Sequence, residues 1–254
     1  MIFAAGGLCL FFLFIGLLWL LGRMRYRWGV HPEICRKITH VAMGMACLTF
    51  PVFVTATWQI LCLAAWFAVS LALLRLSASP VCVALDIFRA TRRRSRGEFY
   101  FIMGVTLSFI LADGDQFAYS SSVLLLAFAD AAAGTWGRML GKIQCWGNAK
   151  TLEGSIAFAT VGLLCMGLST IAGTGHPELW ICSLVCVAAT VAEGLATQGS
   201  DNLWIPLTCV ICLRLPHWLP AGPDAGLLAS MSMASLGVLA IWIVRRSRWF
   251  EIQP

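Results

Sequence analysis

Leu124-Leu-Leu-Ala-Phe-Ala-Asp130-Ala-Ala-Ala-Gly134-Thr-Trp-Gly137-Arg138-Met-Leu-Gly141-Lys142 sets one carboxylate inside an otherwise apolar run. An ionised acid in such a run is expensive unless it is paired, hydrated or bound to a metal. The stretch therefore reads as a membrane-buried helix with a functional group on it. If the helix continues to its end, Asp130, Gly134, Arg138 and Lys142 follow one another at i+4 steps along one face. Two cations then lie below one acid, and the glycines admit close backbone approach. The plain alternative is an Asp–Arg pair with a stripe of small residues for helix packing. A Walker A phosphate loop is excluded, because Gly137-x-x-x-Gly141-Lys142 is one residue short and Ile143 replaces the Ser or Thr.

The rest of the chain agrees with a membrane setting. Of 254 residues, 59% are hydrophobic and 12% are charged, and mean hydropathy is +0.83. Soluble domains carry about 25% charge, so too little charge remains to build a water-soluble surface. Disorder, collagen and low-complexity classes are excluded by the same composition. A bilayer-spanning helix needs about 20 residues, and apolar runs predict nine, at 2–21, 33–50, 52–74, 99–112, 117–136, 154–172, 179–196, 202–214 and 226–244. The expectation is an all-α, polytopic protein forming one membrane-embedded domain over residues 1–254, with no soluble catalytic domain. Met1–Leu21 has its basic residues after it and none before, opposite to a secretory signal peptide.

Charge sets the expected orientation. Alternating the sides along nine spans leaves Arg214 alone on one face, and every other member of the 18 Lys and Arg on the opposite face. By the positive-inside rule the N-terminus lies outside and the C-terminus in the cytosol. Most of the formal charge of +6 is thereby a topology signal and gives no reason to expect a nucleic-acid partner. Among the 11 Cys, the single CxxC, Cys209 and Cys212, lies in an apolar run without a second pair or nearby His, which speaks for packing rather than zinc.

Four further clusters fall on the expected cytosolic side. Lys150-Thr151-Leu-Glu153-Gly154-Ser155 precedes the sixth run. It reads either as a phosphate site at a helix N-terminus or as an N-cap by Thr151 with Glu153 in the first turn. In Glu193-Gly-Leu-Ala-Thr-Gln-Gly199-Ser-Asp201-Asn202, two carboxylates flank a break between runs seven and eight. Such oxygen donors suit Mg²⁺ shared with substrate phosphates; the alternative, capping by Asp201 or Asn202, leaves Glu193 unexplained. Glu33, Arg36, Lys37 and His40 share one face of the helix that Pro32 opens, as a site or as a satisfied core histidine with its neighbours. The run Arg89–Glu98 reads as a topology anchor on anionic lipid or as an attractor of phosphate, with Glu98 reaching the site.

Together these segments resemble the polyprenol kinase family: phytol kinase, dolichol kinase and the CTP-dependent diacylglycerol kinase. The resemblance rests on Arg36-Lys37-x-x-His40, Arg96-Gly-Glu98, Ala129-Asp130-Ala-x-Ala-x-x-x-Gly137-Arg138-x-x-Gly141-Lys142, Lys150-Thr-x-Glu153-Gly-Ser155 and Gly199-x-Asp201-Asn202-Leu-x-Ile-Pro206. They stand in the family's order over roughly residues 30–210. The Asp130 and Lys150 motifs also resemble those of phosphatidate cytidylyltransferases, whose longer C-terminal signature of paired acids and bases is missing. The resemblance implies CTP as phosphoryl donor, a divalent metal such as Mg²⁺, and a membrane-dissolved alcohol as acceptor. On that basis Arg138, Gly141, Lys142, Lys150, Thr151, Glu153, Gly154 and Ser155 would bind the nucleotide. Asp130, Asp201 and Glu193 would hold the metal. Asp201, Glu193 or His40 would meet the acceptor hydroxyl, with Arg36, Lys37, Glu98 and Asn202 as accessory groups. The implied reaction is phosphorylation of an isoprenoid alcohol at the cytosolic boundary of a bacterial inner membrane, or of an endoplasmic reticulum or plastid membrane. Phosphorylation of diacylglycerol, CDP-lipid synthesis, and a non-enzymatic transporter or scaffold are the alternatives. Acceptor length and oligomeric state are left open.

Overall fold

The computed structural model describes residues 2–76, 96–145, 150–172 and 179–218, and these are helical throughout apart from short connections and one isolated bridge between Gln144 and Thr151. In chain order the helices are α1 (Ile2–Trp28), α2 (Pro32–Cys47), the short α3 (Phe50–Phe53), α4 (Thr57–Leu76) and α5 (Gly97–Ala112). They continue with α6 (Gln116–Leu140), α7 (Leu152–Ile171), α8 (Leu179–Leu195) and α9 (Asp201–Trp218). Helices thus occupy eight of the nine apolar ranges; the range 226–244 lies outside the described residues. Three of them, α1, α6 and α7, are long and apolar enough to cross a membrane, and 57–73, 97–112 and 181–195 are shorter apolar helices.

Local chemistry explains the ends. His31 Nδ1 accepts from the Glu33 amide at 3.3 Å to start α2, and Asp115 Oδ1 accepts from the Ala118 amide at 2.9 Å to start α6. Asp113 and Gly114 turn the chain between α5 and α6 with φ of 49° and 82°. The predicted range 33–50 is not one helix: α2 stops at Cys47, whose carbonyl accepts from the buried Tyr119 hydroxyl at 2.8 Å.

α6 is the axis of the bundle. Its segment Val123–Ala127 is fully enclosed apart from a 6% exposed Leu124, and α2, α5, α7 and α9 pack around it. Small residues allow close crossings: a Cβ on Gly44 of α2 would lie 2.5 Å from Ala127 Cβ, and one on Gly104 of α5 would strike the Asn202 carbonyl oxygen of α9. α1 and α4 flank the bundle, and α8 closes it against α7 and α9. The outward faces carry large exposed apolar side chains such as Phe12, Trp19, Trp58, Leu73, Leu164 and Ile171. Water tolerates continuous apolar surface of this extent poorly, whereas a bilayer solvates it.

Within α6 the helix widens to a π turn at Leu125–Ala129, directly before Asp130. The Asp130 amide donates to the Leu125 carbonyl, five residues back, so the Leu126 carbonyl loses its usual α-helical donor. Turns of this kind concentrate at functional sites.

Candidate functional site

One cavity of about 1070 Å³ opens between α1, α2, α4, α5, α6, α7 and α9. Charged and polar side chains line one end of it and apolar ones the other. At the polar end the structure brings together Arg36, Lys37 and His40 from α2, Glu98 from α5, Asp130 and Arg138 from α6, Lys150, Thr151, Gly154 and Ser155 around the start of α7, and Glu193, Asp201 and Asn202 from α8 and α9. Residues far apart in the chain converge because α2, α6, α7, α8 and α9 all present the same end.

Two ion-pair groups organise this end. In the first, Glu33 accepts from Arg36 through both oxygens, at 2.7 and 3.0 Å, and Arg138 Nη1 donates to the same Oε1 at 2.6 Å. Two guanidinium groups from different helices are thus held side by side, the geometry that suits forked recognition of phosphate oxygens. In the second, Lys150 Nζ donates to Glu193 Oε1 at 2.6 Å, to the Glu193 carbonyl, and to Asp201 Oδ2 at 3.4 Å. Burial alone would lower the Lys150 pKa, but the charges of Asp201, Glu193 and Asp130 outweigh it and hold the ammonium above the ordinary lysine value. Of the two acids Asp201 is the more open to the cavity, at 22% side-chain exposure against 6% for Glu193.

Asp130 lies between the groups. His40 Nε2 stands 3.7 Å from Asp130 Oδ2 and 2.8 Å from the Leu126 carbonyl that the π turn leaves without its helical donor. A carbonyl only accepts, so Nε2 carries the proton and donates. Lys37 Nζ donates to the Ala131 carbonyl at 2.9 Å, and it reaches there because residue 134 is glycine: a Cβ at that position would lie 2.6 Å from Nζ.

Not every expected residue joins the cavity. α6 ends at Leu140 and Gly141 is extended, with φ −64° and ψ 119°. The i+4 face therefore stops at Arg138, and the reading of Lys142 as its fourth member is corrected. At the break Glu153 Oε1 accepts from the Lys142 and Ile143 amides at 2.9 and 3.3 Å. Lys142 is exposed, and Gly141 and Lys142 lie on the loop beside the cavity, with Glu153 in the first turn of α7. Gly141 and Gly154 serve packing. A Cβ on Gly141 would strike the Gly137 carbonyl and Thr151, and one on Gly154 would lie 2.9 Å from the Ala133 carbonyl. The Thr151 capping reading holds alongside the cavity lining, since Thr151 Oγ1 accepts from the Gly154 amide at 3.3 Å; Asp201 is the first residue of α9 rather than its cap, and its Oδ1 accepts from the adjacent Asn202 amide at 3.1 Å. Asn202 is buried and ties α9 to α5 by donating to the Gly97 carbonyl at 2.8 Å.

Glu33 is legible in the sequence as a member of the α2 face, but its second partner, Arg138, comes from another helix and is not. The Leu126 carbonyl has no sequence signature at all.

For a divalent cation, Asp130, Glu193 and Asp201 supply hard oxygen donors facing one space, the kind of set Mg²⁺ uses together with substrate phosphates. Among the described residues no three Asp, Glu, His or Cys side chains converge as a ready-made metal group. The donor set fits a cation that arrives with its phosphate ligands, and Lys150 neutralises two of the acids meanwhile. Comparison of the chain with protein-family models, with curated proteins and with solved structures gives no match.

Proposed function

We propose that this chain is a CTP-dependent kinase of a membrane-dissolved isoprenoid alcohol. The observation that carries the reading is a cavity whose one end gathers cations and acids and whose other end is apolar. A polar nucleotide and a water-insoluble alcohol can meet only in such a place. CTP rather than another nucleotide rests on the motif resemblance.

In this reading Arg36 and Arg138, fixed by Glu33, and Lys150 bind the phosphate oxygens. When bound, Mg²⁺ neutralises phosphate charge. Asp130, Glu193 and Asp201 are the residues that would hold it. Phosphoryl transfer depends on positioning and charge neutralisation more than on covalent help. Asp201, the more open of the Lys150-paired acids, orients the acceptor hydroxyl and takes its proton. The alcohol oxygen forms a bond to the γ-phosphorus, the bond from that phosphorus to the bridging oxygen breaks, and CDP leaves. His40 holds Asp130 and the π turn in place.

The same reading includes nine spans, the N-terminus outside, the C-terminus in the cytosol and the charged end facing the cytosol, where nucleotides are. It is supported by Arg214, which pairs with Asp113 at 3.8 Å and Asp115 at 3.6 Å. Asp201 and Arg214 occupy α9 thirteen residues apart, or about 20 Å at 1.5 Å per residue, so the lone outer base meets acids expected outside.

The test is transfer from γ-labelled CTP to phytol, farnesol, geranylgeraniol, dolichol and diacylglycerol by purified protein. Labelled prenyl phosphate with release of CDP is expected. Labelled phosphatidate would reassign the acceptor to diacylglycerol. Release of pyrophosphate with a CDP-lipid would replace the kinase by a cytidylyltransferase. Absence of any nucleotide-dependent product would favour a transporter or scaffold.

A further inference from the structure

Resting on the kinase reading, we infer that the acceptor groove is closed at its apolar end, and that Phe50, Ile60 and Leu63 limit the acceptor to a single chain of a few isoprene units. The polar end of the cavity continues along one face of α2 through Met43, Ala46 and Cys47 to Phe50. On the opposite wall α4 lines it with Ile60, Leu63, Ala64, Phe67 and Leu71, the i, i+3, i+4, i+7, i+11 positions of one helix face. At the far end the lining residues are almost fully enclosed: Phe50 is 7%, Ile60 1% and Leu63 2% exposed.

α3 is the floor. The Phe50 and Phe53 rings stack edge to face with centroids 5.9 Å apart, and Phe53 lies flat on Gly6 of α1, where a Cβ would come within 2.7 Å of the ring. Neither ring can retreat without moving α1. From His40, level with Asp130, to Cys47 is seven residues of helix, about 10 Å at 1.5 Å per residue. That is about a third of a hydrocarbon core of about 30 Å. A chain of about three isoprene units, the length of farnesol, reaches the floor about one turn past Cys47, whereas geranylgeraniol is already longer than the groove and a dolichol-length tail meets Phe50 long before its end.

The experiment pairs activity with mapping. Across geraniol, farnesol, geranylgeraniol and a long polyprenol, kcat/KM should peak at farnesol, decline for geranylgeraniol and fall at least tenfold for the long chain. Leu63→Ala should move the peak to a longer alcohol, and Ala64→Phe, which fills the groove, to a shorter one. An active enzyme whose chain-length profile is flat, or is the same in both variants, overturns the inference. A farnesol analogue with a photoreactive group on its terminal isoprene gives a readout that needs no turnover. Cross-links at α3 and the start of α4 are expected, and cross-links confined to other helices overturn the inference. Cross-linking at the floor without phosphorylation of any alcohol overturns the kinase reading alone.

Discussion

Lys150 has charged partners on two other helices, and its removal exposes what they require. Glu193 is almost wholly enclosed and pairs with Lys150 at 2.6 Å, so Lys150→Ala leaves a buried carboxylate without its cation. Breaking such a pair costs about 3–5 kcal/mol. Lys150→Ala should therefore lower unfolding free energy in detergent by about 3 kcal/mol, and the double change Lys150→Met with Glu193→Gln should recover most of it. Recovery separates the charge effect from simple loss of packing. The pH dependence has a definite sign. Because the three acids raise the Lys150 pKa above its unfolded value, its contribution is complete below the unfolded lysine value and is lost only as pH rises through the higher folded one. From about pH 6 to about pH 9 the wild-type stability should carry no Lys150 titration. A stability loss in that window that Lys150→Met with Glu193→Gln abolishes would contradict the assignment.

At the scale of elements, periodicity and punctuation are legible, while tertiary capture of backbone groups is not. The apolar runs locate eight helices, and Pro32 and Thr151 mark two helix starts by residue type alone. α2 ends at Cys47 because Pro51, four residues on, has no N–H for that carbonyl, which Tyr119, 72 positions away, takes instead; α6 ends before Gly141, and Glu153 holds the Lys142 amide. The Pro and the Gly are local signals, but the distant partners that take the freed backbone groups leave none. The same holds for the π turn, whose Leu125–Ala129 sequence has no feature that separates it from ordinary helix. Acids inside apolar runs, by contrast, announce themselves: Asp130 and Glu193 stood out before any geometry was known, because a lone charge in such a place needs partners. The π turn carries its own prediction. If His40 positions Asp130 by donating to the Leu126 carbonyl, His40→Ala should lower kcat about 10–100-fold, the range for removing a partner that orients a ligand residue, with little change in KM for the alcohol. His40→Gln keeps an N–H donor and should restore a substantial part of kcat. A pH profile that loses a limb in both His40→Ala and His40→Gln would instead mark His40 as the base.

For the whole molecule, two polar groups stand at opposite ends of α9, and the apolar surface between them is compatible with a lipid bilayer. Around that axis the outward surface is apolar, and Tyr26, Trp28, Trp136 and Trp204 are exposed near the cationic end, as aromatic side chains are at membrane interfaces. The short helices fit the same picture: α2 and α5 have 16 residues each, below the about 20 that span alone, but both are packed against α6 and line a cavity, where such lengths are tolerated. Orientation then becomes a measurable property. Gln116 follows Asp115 at the end that holds Arg214, and Lys142 follows α6 at the other; both are exposed. In intact cells a membrane-impermeant maleimide should label Gln116→Cys and spare Lys142→Cys until the membrane is permeabilised. Native Cys9 and Cys62 are also exposed, but they sit within the apolar helices α1 and α4, where a polar reagent does not enter; Cys145, half-buried in the loop beside Lys142, and Cys82 are first replaced by Ser. Labelling in the reverse order would turn the charged end of the cavity away from cytosolic nucleotide and remove the physical basis of the kinase reading. Labelling of both positions from one side would mean that α6 does not cross the membrane.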